Sequence, residues 1–305
     1  MAKDIITYSK IDSLPQGTAP DTVTPGCIVL EGGAWRGLYT QGALDALQEA
    51  GILFQTTIGV SAGAMSGIGY VSGQIGWTAR FNLTHRKNPE YCGTGALKRD
   101  HGVTGFSYLY DNILKSGNLL DRKRFRDPSR RLVVVATNME TGKPEYFEKG
   151  KDRIFRAVRA SATVPYVSKP VMIDGIPYLD GGCSVKIPYD WAVEQGFEKI
   201  MVIRTRDRSY HKPEKKENAA DRFLYHKYPE FVAGMIQGQK DYDELLYRMD
   251  EDQKAGKCFV LAPKEPMDLK RFEGDLEKLG DRYWRGYNEM KEQLPALRSY
   301  LGMES

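Results

Sequence analysis

The sequence predicts an α/β protein: a three-layer sandwich in which helices cover both faces of a mainly parallel central sheet. Short apolar segments recur along the chain, as is typical of buried strands; they are residues 27–30, 57–60, 132–136, 200–203 and 258–261. Stretches with apolar residues at helical spacing lie between them. This strand, helix, strand order favours parallel pairing with both faces of the sheet covered.

The clearest predicted helix covers residues 38–50. Its apolar residues fall on one face, and Gly51 follows at a position where glycine commonly ends a helix. A second segment, residues 62–72, is rich in small residues and predicts a tightly packed helix. A further short strand is expected at residues 176–179.

The pattern changes after residue 204. A charged stretch covers residues 206–217, a Tyr-rich helical stretch covers residues 221–252, and a charged helical tail is expected over residues 267–301. Within that tail, residues 268–279 keep apolar side chains at helical spacing: Leu269, Phe272, Leu276 and Leu279. We therefore divide the chain into a polar leader (1–25), a core (26–204) and a helical region (205–305) that packs on the same domain.

Composition excludes several classes of protein. With 305 residues, 41% of them hydrophobic and 28% charged, the chain has the composition of a globular protein rather than a disordered one. Its formal charge of +4 does not favour nucleic-acid binding. The N-terminal residues lack a basic start and an apolar segment, so we expect no secretory signal. Four scattered cysteines fit a reducing, cytoplasmic compartment: Cys27, Cys92, Cys183 and Cys258.

Positive charge is concentrated in residues 122–131. This segment holds six basic residues: Arg122, Lys123, Arg124, Arg126, Arg130 and Arg131. An exposed, solvated loop is the favoured interpretation. The alternative is a peripheral surface that contacts anionic lipid head groups.

Residues 59–63, Gly-Val-Ser-Ala-Gly, have the G-x-S-x-G pattern of a nucleophile elbow. They lie between the strand at 57–60 and the helix at 62–72, which is the context that such an elbow requires. Gly59 and Gly63 allow the sharp turn that would present the hydroxyl of Ser61. The N-terminus of the following helix favours negative charge that develops there.

Ser61 would need a base to accept its proton. In the order serine, acid, histidine, the candidates are His211 and His226, but the first lies in a charged stretch and the second in a helical one. Asp180 is the other candidate, because it ends a short strand and precedes Gly181 and Gly182. An Asp-Gly pair alone predicts only a turn; beside Ser61, Asp180 could take the hydroxyl proton directly.

A glycine-rich loop follows the first strand. It contains Gly32, Gly33, Ala34, Arg36 and Gly37. A dinucleotide-binding loop would require glycine where Ala34 stands and an acidic residue about twenty residues later, which the chain lacks. Backbone N–H groups that stabilise an oxyanion fit this loop better.

In chain order, the glycine-rich loop, the Ser61 elbow and the Asp180-Gly181-Gly182 turn together resemble the motifs of the patatin-like phospholipase family. The segments Val135-Ala136-Thr137-Asn138 and Arg159-Ala160-Ser161-Ala162 add to the likeness, which covers about residues 26–203. The resemblance implies an enzyme that cleaves carboxylic esters of lipids through an acyl-enzyme, without metal or cofactor. It also implies that Ser61 is the nucleophile and Asp180 the base.

The resemblance further implies that the N–H groups of Gly33 and Ala34 hold the oxyanion, and that Arg36 orients the loop or contacts a head-group phosphate. Two positions depart from the family pattern: Ala34 replaces a third glycine, and Lys186 stands where asparagine is common. Two other functions remain open. One is a non-catalytic lipid- or phosphate-binding module on the same scaffold, and the other is a triad esterase that uses His211 or His226.

Overall fold

A mixed sheet of eight strands runs through the centre of the molecule. The computed structural model describes residues 6–115, 118–211, 213, 215–270 and 272–303. Within these ranges the strands are β1 (Gly17–Thr18), β2 (Thr24–Leu30), β3 (Phe54–Val60), β4 (Gln74–Ile75), β5 (Arg131–Asn138), β6 (Pro144–Glu148), β7 (Val171–Ile173), β8 (Ile176–Asp180), β9 (Ile200–Ile203) and β10 (Cys258–Leu261).

Helices pack on both faces of this sheet and close its ends. In the same ranges the α-helices are α1 (Gly37–Glu49), α2 (Ala62–Ser72), α3 (Trp77–His85), α4 (Thr94–Asp100), α5 (Phe106–Leu114), α6 (Arg122–Arg126), α7 (Ile154–Ser161), α8 (Tyr189–Glu194), α9 (Ala219–Leu224), α10 (Pro229–Lys254) and α11 (Leu276–Leu301). The five strands predicted from the longest apolar segments and the helices predicted near residues 38–50 and 62–72 are all present.

The large sheet has the order β10-β9-β2-β3-β5-β8-β7, and β6 also pairs with β5. The four contacts from β10 to β5 are parallel. The contacts of β5 with β6 and β8, and that of β7 with β8, are antiparallel. The predicted mainly parallel sheet is confirmed, with an antiparallel edge that the sequence pattern did not indicate.

Alternating side chains of the central strands point to opposite faces of the sheet. On one face, Val29, Ile58 and Val133 pack with residues of α8 and α10. On the other, Ile28 and Leu30 pack with α1 and α11, while Val134 packs with α2 and α7. Every one of these strand residues is at most 2% exposed, so both faces of the sheet are buried beneath helices.

The helices α1 and α11 approach each other very closely. A Cβ atom added to Gly42 would lie 2.0 Å from the carbonyl oxygen of Tyr283, and one added to Gly286 would lie 2.0 Å from that of Tyr39. Only glycine fits at either position, because the two backbones touch. Tyr283 also donates a 2.8 Å hydrogen bond to the carboxylate of Asp45 in this interface.

The C-terminal region departs from the prediction in two places. The helix expected over residues 221–252 is interrupted, since α9 ends at Leu224 and α10 begins at Pro229. Proline is favoured in the first turn of a helix, where its missing N–H group needs no partner. The helical tail expected from residue 267 begins only at Leu276, where the side chain of Asp275 accepts hydrogen bonds from the N–H groups of Glu277 and Lys278.

The basic segment 122–131 is not the plain loop that was favoured, because α6 covers its first half. Arg130 is only 2% exposed, and Arg124 donates to the carbonyl oxygens of Ser72 and Ala19. Arg122, Lys123 and Arg126 remain exposed. In the parts of the chain that the structure describes, no helix combines the length and apolar character needed to cross a membrane.

Candidate active site

Ser61 lies at the carboxyl end of β3, at the turn into α2. Its backbone has a φ of 55° and a ψ of −119°, a conformation that L-residues rarely adopt. A Cβ added to Gly59 would lie 2.6 Å from the backbone nitrogen of Ala64, and one added to Gly63 would lie 2.5 Å from the carbonyl oxygen of Leu30. The two glycines therefore permit the sharp turn predicted from the motif.

Asp180 is the last residue of β8, and it pairs with Ala136 of β5. Its Oδ2 accepts a 2.8 Å hydrogen bond from the hydroxyl of Ser61. Its Oδ1 accepts a 2.8 Å hydrogen bond from the N–H group of Gly182, and Gly181 begins the short turn that follows. The Ser61 and Asp180 side chains, 119 positions apart in the sequence, therefore meet as predicted, in an orientation that suits proton transfer.

The glycine-rich loop connects β2 to α1 and lies beside Ser61. A Cβ added to Gly32 would be 3.2 Å from the Cβ of Ser61, and Gly37 is the first residue of α1. Among the described residues, no oxygen accepts a hydrogen bond from the N–H groups of Gly33 and Ala34. These two N–H groups, on residues that line the same cavity as Ser61, can therefore donate to a substrate oxygen.

Ala34 has a φ of 49°, in the left-handed region that favours glycine. Alanine thus stands in place of the family's third glycine in a conformation that L-residues rarely adopt. An L-residue in this region costs about 1 kcal/mol relative to its usual conformations. Replacing Ala34 with glycine would remove this cost, because glycine adopts positive φ readily.

A buried carboxylate supports this loop from behind. Glu31 is 2% exposed; its Oε1 accepts a 2.6 Å hydrogen bond from the hydroxyl of Tyr242, and its Oε2 accepts from the N–H group and hydroxyl of Thr205. The Thr205 hydroxyl also contacts the carbonyl oxygen of Gly32, at 3.1 Å. The sequence motifs indicate no role for Glu31, although an acid directly after a buried strand must have hydrogen-bond partners in the folded protein.

Two other supporting contacts were also not predicted. The hydroxyl of Ser161, at the end of α7, accepts a 2.8 Å hydrogen bond from the N–H group of Ser61. Lys186 contributes its carbonyl oxygen, which accepts from the N–H group of Gly32 at 3.3 Å. Because this contact uses only the backbone of Lys186, replacement of the asparagine common in the family leaves it intact.

A cavity of about 640 Å³ opens in front of Ser61 and Asp180. One part of its wall is apolar and includes Met65, Tyr91 and Val164. Another part is basic and includes Arg36, Lys186 and Arg206. A cavity of this size and mixed character suits an amphiphilic small molecule.

Neither histidine that could complete a triad lines this cavity. His226 is exposed in the turn between α9 and α10, where its Nδ1 lies 3.0 Å from the carbonyl oxygen of Phe223. His211 is exposed in the segment that follows β9. The acceptor that the structure brings to Ser61 is Asp180.

Curated relatives share parts of this chain. An uncharacterized protein of Escherichia coli K12, YjjU, is 30% identical over 187 residues, which are 59% of this chain and 52% of the relative. A probable lipid hydrolase, 463L of Invertebrate iridescent virus 6, is 26% identical over 182 residues, 55% of this chain and 63% of that protein. The chain thus spans about half to two thirds of the length of these relatives.

Among solved structures, VipD from Legionella pneumophila aligns with 97% of this chain and 72% of its own, with 14% sequence identity and a TM-score of 0.46. Two family models match the sequence. A domain of unknown function, DUF6363, matches residues 228–302. The patatin-like phospholipase model matches residues 28–193, more than half of the chain, including the glycine loop, the Ser61 elbow and Asp180. The chain therefore belongs to the patatin-like phospholipase family.

Proposed function

We propose that this protein is a serine hydrolase that cleaves carboxylic esters of lipids through an acyl-enzyme. The observation that carries the proposal is the 2.8 Å hydrogen bond from the hydroxyl of Ser61 to the carboxylate of Asp180, at the base of a partly apolar cavity. Family membership and the relative named as a probable lipid hydrolase support the same class of reaction.

In the first half of the reaction, Asp180 takes the hydroxyl proton as the Oγ of Ser61 attacks the ester carbonyl carbon. The carbonyl oxygen becomes an oxyanion, which the N–H groups of Gly33 and Ala34 stabilise. Removing one such donor costs about 3–4 kcal/mol in hydrolases studied by mutation. The intermediate then collapses, and Asp180 returns the proton to the departing alcohol oxygen.

In the second half, water replaces the alcohol. Asp180 takes a proton from water as its oxygen attacks the Ser61 ester, the same N–H groups stabilise the second oxyanion, and the fatty acid leaves as the proton returns to the Oγ of Ser61. The apolar wall formed by residues such as Met65 and Tyr91 suits the acyl chain, because burial of apolar surface favours its binding. The reaction requires neither a metal nor a cofactor.

The test is hydrolysis of a chromogenic short-chain ester and of a lipid panel, read by mass spectrometry for released fatty acid. We expect Ser61→Ala and Asp180→Asn each to abolish hydrolysis while thermal unfolding stays cooperative. A fluorophosphonate probe should label Ser61 in the wild-type protein but not in Ser61→Ala. Ser129→Ala is a matched control, because that exposed serine lies outside the cavity.

Three outcomes would contradict the proposal. Near-full activity of Asp180→Asn would show that Asp180 is not the base. Loss of activity in His211→Ala or His226→Ala would favour a triad esterase. Folded wild-type protein that neither reacts with the probe nor releases fatty acid would favour a non-catalytic lipid- or phosphate-binding module.

A further inference from the structure

Three basic side chains line the same part of the Ser61 cavity. Arg36 comes from the glycine loop, Lys186 from the segment after Asp180, and Arg206 from the segment after β9, beyond the part of the chain that the family model matches. Arg36 and Arg206 lie close enough to interact: burial, and then the charge of Arg206, lower the pKa of the Arg36 guanidinium. This end of the cavity thus concentrates positive charge.

Within the described residues, no carboxylate forms an ion pair with Arg36, Lys186 or Arg206. The two carboxylates that line the cavity have other partners: Glu31 accepts from Thr205 and Tyr242, and Asp180 accepts from Ser61 and Gly182. The Nε of Arg36 is buried without a hydrogen-bond partner. The Nζ of Lys186 donates one hydrogen bond, of 3.1 Å, to the carbonyl oxygen of Gly238, which leaves two of its three N–H donors for a ligand. Unpaired buried cationic groups are costly, and an anionic ligand would offset that cost.

The aromatic side chains at this end are already covered by the same cations. The guanidinium of Arg206 lies over the ring of Tyr210, with 4.1 Å to the centroid, and the Nζ of Lys186 lies 5.7 Å from the ring centroid of Tyr242. A quaternary ammonium group binds best on open aromatic faces. At this end of the cavity it would meet cations on those faces instead.

The charged end and the apolar end of the cavity lie on opposite faces of the sheet. Tyr210 and Tyr242 pack with the core on the α10 face of the sheet, whereas Met65 and Tyr91 pack with the core on the opposite face. A fourth cation of the cavity, Arg86, is engaged elsewhere, since it donates to the carbonyl oxygens of Glu273 and Phe272. An ester bound at Ser61 therefore has an apolar surface on one side and a cationic one on the other.

We propose that Arg36, Lys186 and Arg206 form a subsite that binds the anionic, phosphate-bearing head group of the lipid and selects against head groups that carry choline. This inference rests on the proposed function, because it assumes that a lipid ester occupies the cavity. Lys186 and Arg206 are its specificity-determining residues, since Arg36 also belongs to the loop beside Ser61.

The test compares three monomeric substrates with the same acyl chain: lysophosphatidylglycerol, lysophosphatidylcholine and 1-monoacylglycerol. The wild-type protein should have its lowest KM for the first. In Arg206→Gln and Lys186→Gln, the ratio of the KM for lysophosphatidylglycerol to that for monoacylglycerol should rise at least tenfold, because a charge-assisted hydrogen bond is lost. Arg206→Lys should recover part of the change.

Arg208→Gln is the matched control, because it removes one positive charge only two positions away in the sequence. The Arg208 side chain pairs with Asp250 and lies outside the cavity. It should leave the ratio unchanged. Equal KM increases for all three substrates in Arg206→Gln, or no increase for lysophosphatidylglycerol, would overturn the proposal.

A binding measurement separates failure of the subsite from failure of the proposed hydrolysis. Calorimetric titration of lysophosphatidylglycerol into the Ser61→Ala protein should show binding. The double variant Ser61→Ala/Arg206→Gln should bind it at least tenfold more weakly. Equal affinity of the two proteins for lysophosphatidylglycerol would overturn the subsite even if hydrolysis is observed. The weakening would support the subsite even if no ester is cleaved.

Discussion

The hydroxyl of Ser161 accepts a 2.8 Å hydrogen bond from the backbone N–H group of Ser61. Ser161 is fully buried at the end of α7, so this contact joins the helix to the strained turn that presents the Ser61 hydroxyl. It also satisfies a backbone donor that would otherwise be buried without a partner. Ser161 is therefore a positioning residue for the proposed reaction.

We expect Ser161→Ala to lower kcat for a short-chain ester about tenfold with KM changed less than twofold. The substitution leaves the Ser61 N–H group without its acceptor, which costs about 1–3 kcal/mol and lets the turn relax away from Asp180. Steady-state kinetics would measure the separation of kcat from KM. An unchanged kcat would show that the hydrogen bond does not position Ser61.

Glu31→Leu should destabilise the folded protein by about 1–3 kcal/mol. The carboxylate of Glu31 accepts from both Thr205 and Tyr242, whereas a leucine side chain has no acceptor and leaves these buried donors without a partner. Urea unfolding would measure the loss. Glu217→Leu, in an exposed pair with Arg222, should change stability by less than ~1 kcal/mol, and an equally small effect at Glu31 would contradict the supporting role.

Asp45 should make the stability of the protein depend on pH. Burial between α1 and α11 raises its pKa to about 7, although hydrogen bonds from Gly76 and Tyr283 act in the opposite direction. In the unfolded chain the pKa is about 3.9. Between these values the folded state holds a proton that the unfolded state has lost, so the free energy of unfolding contributed by Asp45 falls as the pH rises and is constant above about 7.

The Asp45→Asn variant has no carboxylate to titrate at this position. We therefore expect the wild type to lose about 2–3 kcal/mol of stability relative to this variant between pH 5 and pH 8. An Asn side chain can keep both contacts, since its oxygen can accept from Gly76 while its NH₂ group donates to the hydroxyl of Tyr283. Urea titrations at the two pH values measure the shift. A constant difference between the two proteins would contradict the raised pKa.

Binding to anionic membranes, if the exposed part of segment 122–131 mediates it, should depend on Arg122, Lys123 and Arg126. We expect the wild-type protein to sediment with vesicles that contain phosphatidylglycerol at low salt and to dissociate as salt is added. The triple Gln variant at these positions should bind about a hundredfold more weakly, at about 1 kcal/mol for each charge. If binding of the wild-type protein changes neither with lipid charge nor with salt, these three residues do not mediate membrane contact.

The sequence was most informative where a local pattern determines local structure. The central strands are continuous apolar segments, and Gly59 and Gly63 indicate a sharp turn because no other residue fits there. Asp180 was harder to interpret, since an Asp-Gly pair predicts a turn in any context. Its meeting with Ser61 depends on the antiparallel pairing of β8 with β5, which no spacing in the sequence indicates.

The supporting contacts were not predictable because they join distant segments. Thr205 and Tyr242 contact Glu31 only after β9 and α10 have packed against β2. The first part of the helix expected over residues 268–279 is wrong for a similar reason, since α11 begins only at Leu276. Leu269 and Phe272 have helical spacing, but both line the cavity from positions that are not helical. Periodicity alone cannot distinguish a helix face from apolar residues placed by tertiary contacts.

The close contact between the backbones of α1 and α11, at Gly42 and at Gly286, determines where the chain can be shortened. A fragment that ends near residue 204 would retain Ser61, Asp180 and the whole segment that matches the patatin-like model, yet it would expose the face of α1 that α11 covers. Exposed apolar surface of this kind promotes aggregation. The end of the patatin-like match at residue 193 is therefore not the end of a unit that folds by itself, and expression of the core alone is expected to give insoluble protein.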